Sequence, residues 1–317
     1  MKTIWLVYES SSVVRNQFFI DQWNRAAGEQ AADLHTVLYE DLLYGIKAGQ
    51  PYLSHNKGLD LPDAAVMRLN QPLLSAQFEL LGIPAFNNSV VARICNDKRL
   101  THQYISGITQ AMDTIFLRGD ETDSPLPYPV VVKSVHGCGG RQVFLARDRQ
   151  AFQTAMDTLR PNEALVQSLC DTPGKDVRAY VLGKEIVAVM MRYSAEDFRS
   201  NIGQGGKAVP YELSSGDEEI VRQIISMFEF GLVGIDVEQI IFELKTDTDI
   251  DSKIIEFLCI FDASLCQDCS KLKCKSEQNS CFLSDHVYVG FLRDSILGFK
   301  IHVMLLAFAN FGSCLIK

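Results

Sequence analysis

Cysteine, positive charge and long apolar runs are all scarce in the greater part of this 317-residue chain. The first 258 residues hold only Cys95, Cys138 and Cys170. Such sparse cysteine excludes a disulfide framework and is typical of reduced thiols, so we predict a cytoplasmic location. Lys and Arg number 30 against 39 Asp and Glu, which gives a net charge of −9. This acidic balance argues against nucleic acid as a partner.

The residues before 290 contain no segment typical of a signal peptide or a membrane span. The apolar run in MKTIWLVYESSS is short and ends before Glu9, so it predicts a first strand and not a signal sequence. Residues 296–316 are mostly apolar, but they include Lys300, His302 and Asn310 and are a weak candidate for a membrane helix. We therefore predict no membrane partner.

A glycine-rich stretch at residues 129–145, PVVVKSVHGCGGRQVFL, organises the sequence. Gly137, Gly139 and Gly140 join two β-prone runs, and Lys133 lies at the end of the first. No Lys-Ser or Lys-Thr pair follows the glycines to open a helix, which excludes a P-loop. The stretch predicts a flap whose bare backbone amides, with an ammonium nearby, can approach phosphate oxygens. The alternative is an ordinary hairpin with a glycine-rich turn.

Alternating strands and helices dominate residues 1–90. Predicted strands at 3–8, 34–39 and 64–69 alternate with predicted helices at 14–27 and 73–81. This order with short connections predicts a small parallel α/β domain. The glycine hairpin is followed by a predicted helix at 148–159 and by predicted strands at 164–168, 176–182, 185–192 and 232–237. The fold class is therefore α/β in the first part and α+β in the second.

Two of the predicted strands carry polar residues suited to a ligand. Gln167, with the backbone at Ser168 and Leu169, suits the edge-on recognition of an adenine, although a plain core strand is the alternative. Alternation places Asp176 and Arg178 on one face of their strand. A salt-bridged surface strand is the alternative for that pair.

The next segment combines cations with glycines. Arg192, Arg199 and Asn201 precede Gly205 and Gly206 in a loop. Two arginines and an asparagine are suitable groups for holding a transferring phosphoryl group and an anionic acceptor. Loops of this kind carry function more often than cores do.

In this order the parts resemble an ATP-grasp ligase, and they closely resemble the RimK-type α-L-glutamate ligases, a family of carboxylate–amine ligases. The resemblance covers about residues 60–237, and its most specific part is DFRSNIGQGG at 197–206. It implies an ATP-grasp fold with an N-terminal parallel α/β (pre-ATP-grasp) domain. We expect an N-terminal domain at 1–90, an ATP-grasp domain of two lobes at 91–260 with its flap at 133–142, and an atypical Cys-rich and apolar tail at 261–317.

The resemblance also implies a reaction. ATP would lie between the two lobes with Mg²⁺ bridging its phosphates, and Mn²⁺ is the alternative ion. A small-molecule or peptide carboxylate would attack the γ-phosphate to give an acyl phosphate, and an amine or amino acid would displace phosphate. A homo-oligomer is an open alternative to a monomer. Two other functions stay open: a catalytically inactive ATP-binding remnant, and another phosphotransferase with a glycine flap. The absence of His-Arg-Asp and Asp-Phe-Gly disfavours a kinase.

Individual roles follow from the same resemblance. The nucleotide would be contacted by Lys98, Lys133, Gly137, Gly139, Gly140, Gln167, Ser168, Leu169 and, on the ribose side, Asp176. The charge on the transferring phosphoryl group would be stabilised by Arg178, Arg192, Arg199 and Asn201. The metal would be bound by Asp236 and Glu256.

The sequence departs from the family pattern after residue 237. The family places Glu-x-Asn on a strand after the metal aspartate, and the nearest match here is Glu256-Phe257-Leu258. Leucine offers no oxygen to Mg²⁺, which demands oxygen ligands, so the metal site is predicted to be incomplete and turnover impaired. Glu243 is a poorer match, because it is expected to lie too close to Asp236 for a returning strand.

The last part of the chain differs in composition from the rest. Residues 245–289 contain neither glycine nor proline, although the rest of the chain uses both. Four thiols, Cys266, Cys269, Cys274 and Cys281, are enough for a zinc site, but the second close pair of a zinc ribbon is missing. The alternative is a reading frame that departs after about residue 237.

Overall fold

A computed structural model describes residues 1–109, 112–136, 140–201, 205–238 and 241–246. The chain divides into two compact units, Met1–Ala85 and Phe86–Asp247. The predicted domains at 1–90 and 91–260 stay predictions, and the predicted tail at 261–317 lies outside the described residues with its cysteines and its apolar segment. Within the described ranges, no helix combines the length and the apolar character that a membrane crossing requires.

The first unit is built on a four-stranded sheet. Its elements are β1 (Thr3–Tyr8), α1 (Ser10–Val13), α2 (Gln17–Glu29), β2 (Asp33–Leu38), β3 (Leu42–Lys47), β4 (Gln50–His55), β5 (Ala64–Met67), α3 (Pro72–Leu80) and β6 (Ala85–Phe86). The strand order is β2-β1-β5-β6, and β1 pairs in parallel with both β2 and β5. Trp5, Val7 and Phe78 are buried in its core. The predicted parallel α/β arrangement is confirmed.

The hairpin β3–β4 was not predicted from the sequence. Its two strands pair antiparallel, with Lys47 opposite Gln50. The two turn residues, Ala48 and Gly49, have φ values of 51° and 76°. Two positive φ angles are typical of the tight hairpin turn that Asn-Gly favours, and Ala-Gly carries little of that signal. The sequence at this turn therefore lacks the signal from which a tight hairpin turn could be predicted.

The second unit contains two antiparallel sheets with helices. Its elements are α4 (Ser89–Cys95), α5 (Lys98–Ile105), β7 (Thr114–Leu117), β8 (Val130–Ser134), β9 (Val143–Ala146), α6 (Arg149–Leu159), β10 (Ala164–Ser168), β11 (Lys175–Leu182), β12 (Glu185–Tyr193), β13 (Lys207–Pro210), α7 (Ser215–Met227), β14 (Leu232–Glu238) and β15 (Ile241–Thr246). The strand orders are β7-β10-β8-β9 and β13-β12-β11-β14-β15. The predicted hairpin around the glycines is the β8–β9 pair.

One face of the first of these sheets is apolar. Val130 and Val132 of β8 pack with Phe152 of α6 in a single buried cluster. Side chains alternate along a strand, so Lys133 of β8 and Gln167 of β10 lie on the opposite face. The sheet therefore carries its polar groups on the face away from α6.

The second sheet repeats this division. Ala179 and Val181 of β11 pack with Ile224 of α7 in a buried cluster. The alternate positions of β11 carry Asp176 and Arg178, which the sequence pattern assigned to the other face. The expected alternation along β11 is confirmed.

The end of this sheet corrects one expectation. Strand β15 begins two residues after β14 ends and pairs with it antiparallel, which places Glu243 directly opposite Asp236. The expectation that Glu243 lies too close to Asp236 for a returning strand is wrong, because two residues suffice to join antiparallel strands. The segment with Glu256 and Leu258, which is the nearest match to the family pattern, lies outside the described residues.

Candidate functional site

A chain of hydrogen bonds crosses three adjacent strands on the polar face of the first sheet. The Lys133 Nζ donates to Gln167 Oε1 at 2.7 Å, and Gln167 Nε2 donates to Thr114 Oγ1 at 3.0 Å. Gln167 is fully buried. Its amide is therefore held from both sides, by β8 and by β7. The sequence did not single out Thr114, because only the pairing of β7 with β10 brings it to Gln167.

Lys98 reaches the same end of β8. It is the first residue of α5, which Asp97 caps by accepting a hydrogen bond from the Arg99 backbone N–H. The Lys98 Nζ donates to the backbone carbonyls of Ser134 at 2.9 Å and Val135 at 3.3 Å. The Lys98 ammonium thus lies at the end of β8, and the Lys133 ammonium lies beside the Gln167 amide. Ammonium groups and an amide fit the chemistry of a nucleotide's phosphates and base.

The other predicted nucleotide residues are distributed around this point. The Ser168 backbone N–H donates to the Asp113 carbonyl at 3.0 Å, and Leu169 follows it at the end of β10, half-buried. Gly140 has a φ of +72°, which favours glycine. The other two predicted flap glycines, at 137 and 139, lie outside the described residues.

The polar face of the second sheet carries four buried charges, Arg178, Asp236, Arg192 and Asp176, which we call the arginine–aspartate cluster. The Arg178 Nε and Nη2 donate to the two carboxylate oxygens of Asp236 at 2.5 and 2.8 Å. The Arg192 Nε donates to Asp176 Oδ1 at 2.7 Å, and its Nη2 contacts Asp176 and also Asp236 Oδ1, the latter at 3.1 Å. All four residues are buried.

The strand register creates this cluster. Arg178 of β11 lies directly opposite Asp236 of β14, and Asp176 lies opposite Arg192 of β12. Burial and the neighbouring Arg178 disfavour the charge on Arg192, but the carboxylates of Asp236 and Asp176 outweigh them and raise the pKa of Arg192 above its ordinary value. Both guanidinium groups are thereby fixed in position by carboxylates, and the charged form of Arg192 is favoured. Such preorganised cations suit an anionic transition state.

The described residues do not form a metal site by themselves. Both carboxylate oxygens of Asp236 accept hydrogen bonds from arginine. Among the residues that the structure describes, no group of three or more His, Cys, Asp and Glu side chains could hold a metal ion. The predicted metal role of Asp236 stays a prediction, and its predicted partner Glu256 lies outside the described part of the chain.

The loop before β13 is held by a carboxylate that the sequence reasoning missed. The Asp197 Oδ1 accepts from the Arg199 backbone N–H at 2.9 Å, and Oδ2 accepts from Arg199 Nη2 at 2.6 Å. The hydrogen bond with Arg199 lowers the pKa of Asp197. The available signal was the Asp-x-Arg spacing, because Asp97 and Arg99 form the same local contact at 2.9 Å.

This loop lies against the flap. The Arg199 Nη1 donates to the Gly140 carbonyl at 2.8 Å. A Cβ atom added at Gly140 would lie 2.5 Å from Asn201 Oδ1. The predicted catalytic residues therefore occupy two places: Arg178 and Arg192 in the arginine–aspartate cluster, and Arg199 and Asn201 at the flap.

Comparisons with known proteins identify the family and the fold of this chain. Residues 107–258 match a family model described as a RimK-like ATP-grasp domain. Over 201 residues, covering 58% of this chain and 67% of the relative, the chain is 33% identical to a probable alpha-L-glutamate ligase of Klebsiella pneumoniae. Over the same length and shares, it is 32% identical to the ribosomal protein bS6–L-glutamate ligase of Escherichia fergusonii.

A solved structure shares the fold. The RimK domain protein ATP-grasp from Sphaerobacter thermophilus superposes with a TM-score of 0.57 at 18% identity, covering 74% of this chain and 86% of that one. At this identity the likeness concerns the fold alone. The predicted ATP-grasp fold is confirmed.

Proposed function

This chain belongs to the RimK-like ATP-grasp family and is a ligase that forms C–N bonds, and we propose that it joins an amino acid to a peptide or small-molecule carboxylate. Glutamate is the first amino acid to test, because the relatives are named as glutamate ligases. We place the reaction in the cytoplasm, in keeping with the sparse cysteines of residues 1–258.

The proposed reaction has two steps. A carboxylate oxygen of the acceptor attacks the γ-phosphorus of ATP, and ADP leaves to give an acyl phosphate. The amine nitrogen of the amino acid then attacks the acyl carbon, and phosphate leaves as the nitrogen loses a proton. Both steps develop negative charge on oxygens, so catalysis rests mostly on positioning and charge neutralisation.

The observation that carries this proposal is the arginine–aspartate cluster. Arg178 and Arg192 are buried, charged and held by carboxylates on two neighbouring strands. They need no reorganisation to stabilise a phosphoryl group or an acyl phosphate. We assign the same stabilising role to Asn201 at the flap. We assign nucleotide binding to Lys98, Lys133 and the segment 167–169.

Replacing Lys133 by methionine tests the nucleotide assignment. The change removes an ammonium that is anchored to Gln167 at 2.7 Å. We expect ATP affinity to fall by about 1.5–3 kcal/mol, the range for hydrogen bonds to charged groups. Calorimetric titration with ATP measures it, and the exposed Lys47→Met change on the β3–β4 hairpin is the matched control. Native affinity in Lys133→Met would remove Lys133 from the nucleotide site.

The activity itself is tested by ADP release with a panel of carboxylates, each with and without L-glutamate. A ligase should release ADP and form an amide only when both substrates are present. Release of ADP that ignores the amine would favour a different phosphotransferase, and ATP binding without release would favour an inactive remnant.

Magnesium is the proposed metal ion. Two glutamates are alternative candidates for the second metal ligand, together with Asp236. Glu256 is the predicted ligand, whereas the register places Glu243 opposite Asp236. We expect Glu256→Gln to raise the Mg²⁺ concentration for half-maximal ADP release about 10- to 100-fold, the range for a lost supporting contact. Glu243→Gln should leave it unchanged. The reverse pattern would transfer the role to Glu243.

We also propose that the leucine at 258 impairs turnover, because the family's sequence pattern has asparagine, an oxygen ligand, at this position. Leu258→Asn should then raise Mg²⁺-dependent ADP release.

A further inference from the structure

The contact between the Asp197–Arg199 pair and the flap goes beyond the roles assigned so far. The Asp197 carboxylate fixes both the backbone and the guanidinium of Arg199, with Arg199 Nε 3.1 Å from each of its oxygens and Nη2 at 2.6 Å from Oδ2. This geometry directs the remaining guanidinium nitrogen, Nη1, to the Gly140 carbonyl at 2.8 Å. The contacts with Asp197 therefore orient Arg199 so that it donates a hydrogen bond to Gly140 of the flap.

Asp197 and Arg199 each favour the charged form of the other. The hydrogen bond to Asp197 raises the pKa of Arg199, and the hydrogen bond from Arg199 lowers the pKa of Asp197. About three-quarters of each side chain is buried. While Asp197 matches the charge of Arg199, the remaining guanidinium nitrogen, Nη1, donates to the backbone carbonyl of Gly140.

The base of the loop is anchored to the sheet. The Gly174 N–H donates to the Phe198 carbonyl at 2.7 Å, and the Ser194 N–H donates to the Gly174 carbonyl at 2.8 Å. Gly174 has a φ of +80°, and a Cβ added there would lie 2.7 Å from the Asp197 carbonyl oxygen. The loop is thus tied to the residue before β11 at a point where only glycine fits. The loop that contains Arg199 is therefore connected by hydrogen bonds to the start of β11.

The flap approaches this anchored loop at one residue. Gly140 accepts the hydrogen bond from Arg199, and its Cα lies so close to Asn201 that any side chain at 140 would collide with the asparagine. Two independent contacts therefore meet at Gly140. Each comes from the loop that carries Asn201, to which we assign the charge of the phosphoryl group and the acyl phosphate.

We propose that Asp197 is a positioning residue that couples the nucleotide flap to the loop at 194–201 through Arg199 and the Gly140 carbonyl. This coupling rests on the proposed function, because it takes the Gly140 backbone as a contact of ATP. A nucleotide that holds Gly140 then also holds the loop through Arg199, so the free energy of ordering the loop is linked to nucleotide binding.

The experiment measures hydrogen–deuterium exchange of the full chain with and without the non-hydrolysable analogue AMP-PNP and Mg²⁺. In the native chain, AMP-PNP should slow exchange both in the peptide that contains Gly140 and in the peptide at 194–201. In Asp197→Asn, the Gly140 peptide should keep its protection. The protection of the loop by nucleotide should fall about tenfold, as expected for one charge-assisted hydrogen bond.

Two further variants make the result decisive. Glu218→Gln removes a carboxylate from the exposed pair with Arg222 on α7 and should leave both protections at their native values. Arg199→Lys keeps the charge, but one ammonium cannot reproduce the forked contact with both Asp197 and Gly140, so it should repeat the loss. It takes the place of Asp197→Asn if that variant does not fold.

For each variant, the quantity compared is the change in exchange that AMP-PNP causes. A general loss of stability speeds exchange with and without nucleotide, so it is not mistaken for a loss of coupling. Loop protection at the native level in both Asp197→Asn and Arg199→Lys overturns the coupling. A native chain that binds AMP-PNP in calorimetry without protecting its loop overturns it too, while the proposed function stands. A native chain that does not bind AMP-PNP overturns both.

Discussion

Replacing Asp236 by alanine should lower the free energy of unfolding by about 3–5 kcal/mol, the range measured when one partner of a buried ion pair is removed. Asp236 is 3% exposed, accepts hydrogen bonds from Arg178 and forms an ion pair with Arg192. Without it, two guanidinium groups stay in a desolvated place with a single carboxylate, Asp176, between them. Urea unfolding followed by circular dichroism measures the loss.

Two controls separate the burial of charge from the loss of any contact. In the double variant Arg178→Met with Asp236→Leu, the pair is replaced by apolar groups, so most of the stability should return. Glu218→Ala, which breaks the exposed ion pair with Arg222, should cost no more than about 1 kcal/mol. If Asp236→Ala lowers the free energy of unfolding as little as Glu218→Ala does, the arginine–aspartate cluster does not stabilise the fold as a buried ion pair.

Replacing Asn201 by alanine should lower kcat about 10²- to 10³-fold, the cost of removing one donor to a developing oxyanion. ATP affinity should change little, because the proposed contact forms in the transition state. Asn201 lies in the loop that Arg199 connects to the flap, so its amide is placed where nucleotide and acceptor would meet. Steady-state ADP release gives kcat, and calorimetry with AMP-PNP gives the affinity.

The control for this prediction is Asn162→Ala, which changes an exposed asparagine shortly after α6 and should leave kcat unchanged. A loss of ATP affinity as large as the loss of kcat would make Asn201 a ground-state contact. The proposed role in the transition state would then be wrong.

Local patterns in the sequence predicted most of the elements that support the site. The β-branched run that ends at Lys133 identified β8, and alternation along the chain identified the two faces of β11. These patterns succeed because a strand with one buried face must repeat apolar residues with period two. The hairpin β3–β4 was missed because its Ala48-Gly49 turn lacks the Asn-Gly signal, and the pairing of β14 with β15 was rejected because Glu243 was expected to lie too close to Asp236.

The sequence by itself determined which groups are available: the glycine flap, the lysines at 98 and 133, and the Asp-x-Arg and Arg-x-Asn spacings around the loop. Only the tertiary structure decided their partners. Arg178 meets Asp236 across 58 positions, and Arg199 meets Gly140 across 59. The physical reason is that such contacts depend on strand register and on the crossing of distant segments, whereas spacing along the chain encodes only the neighbours within a turn or a strand.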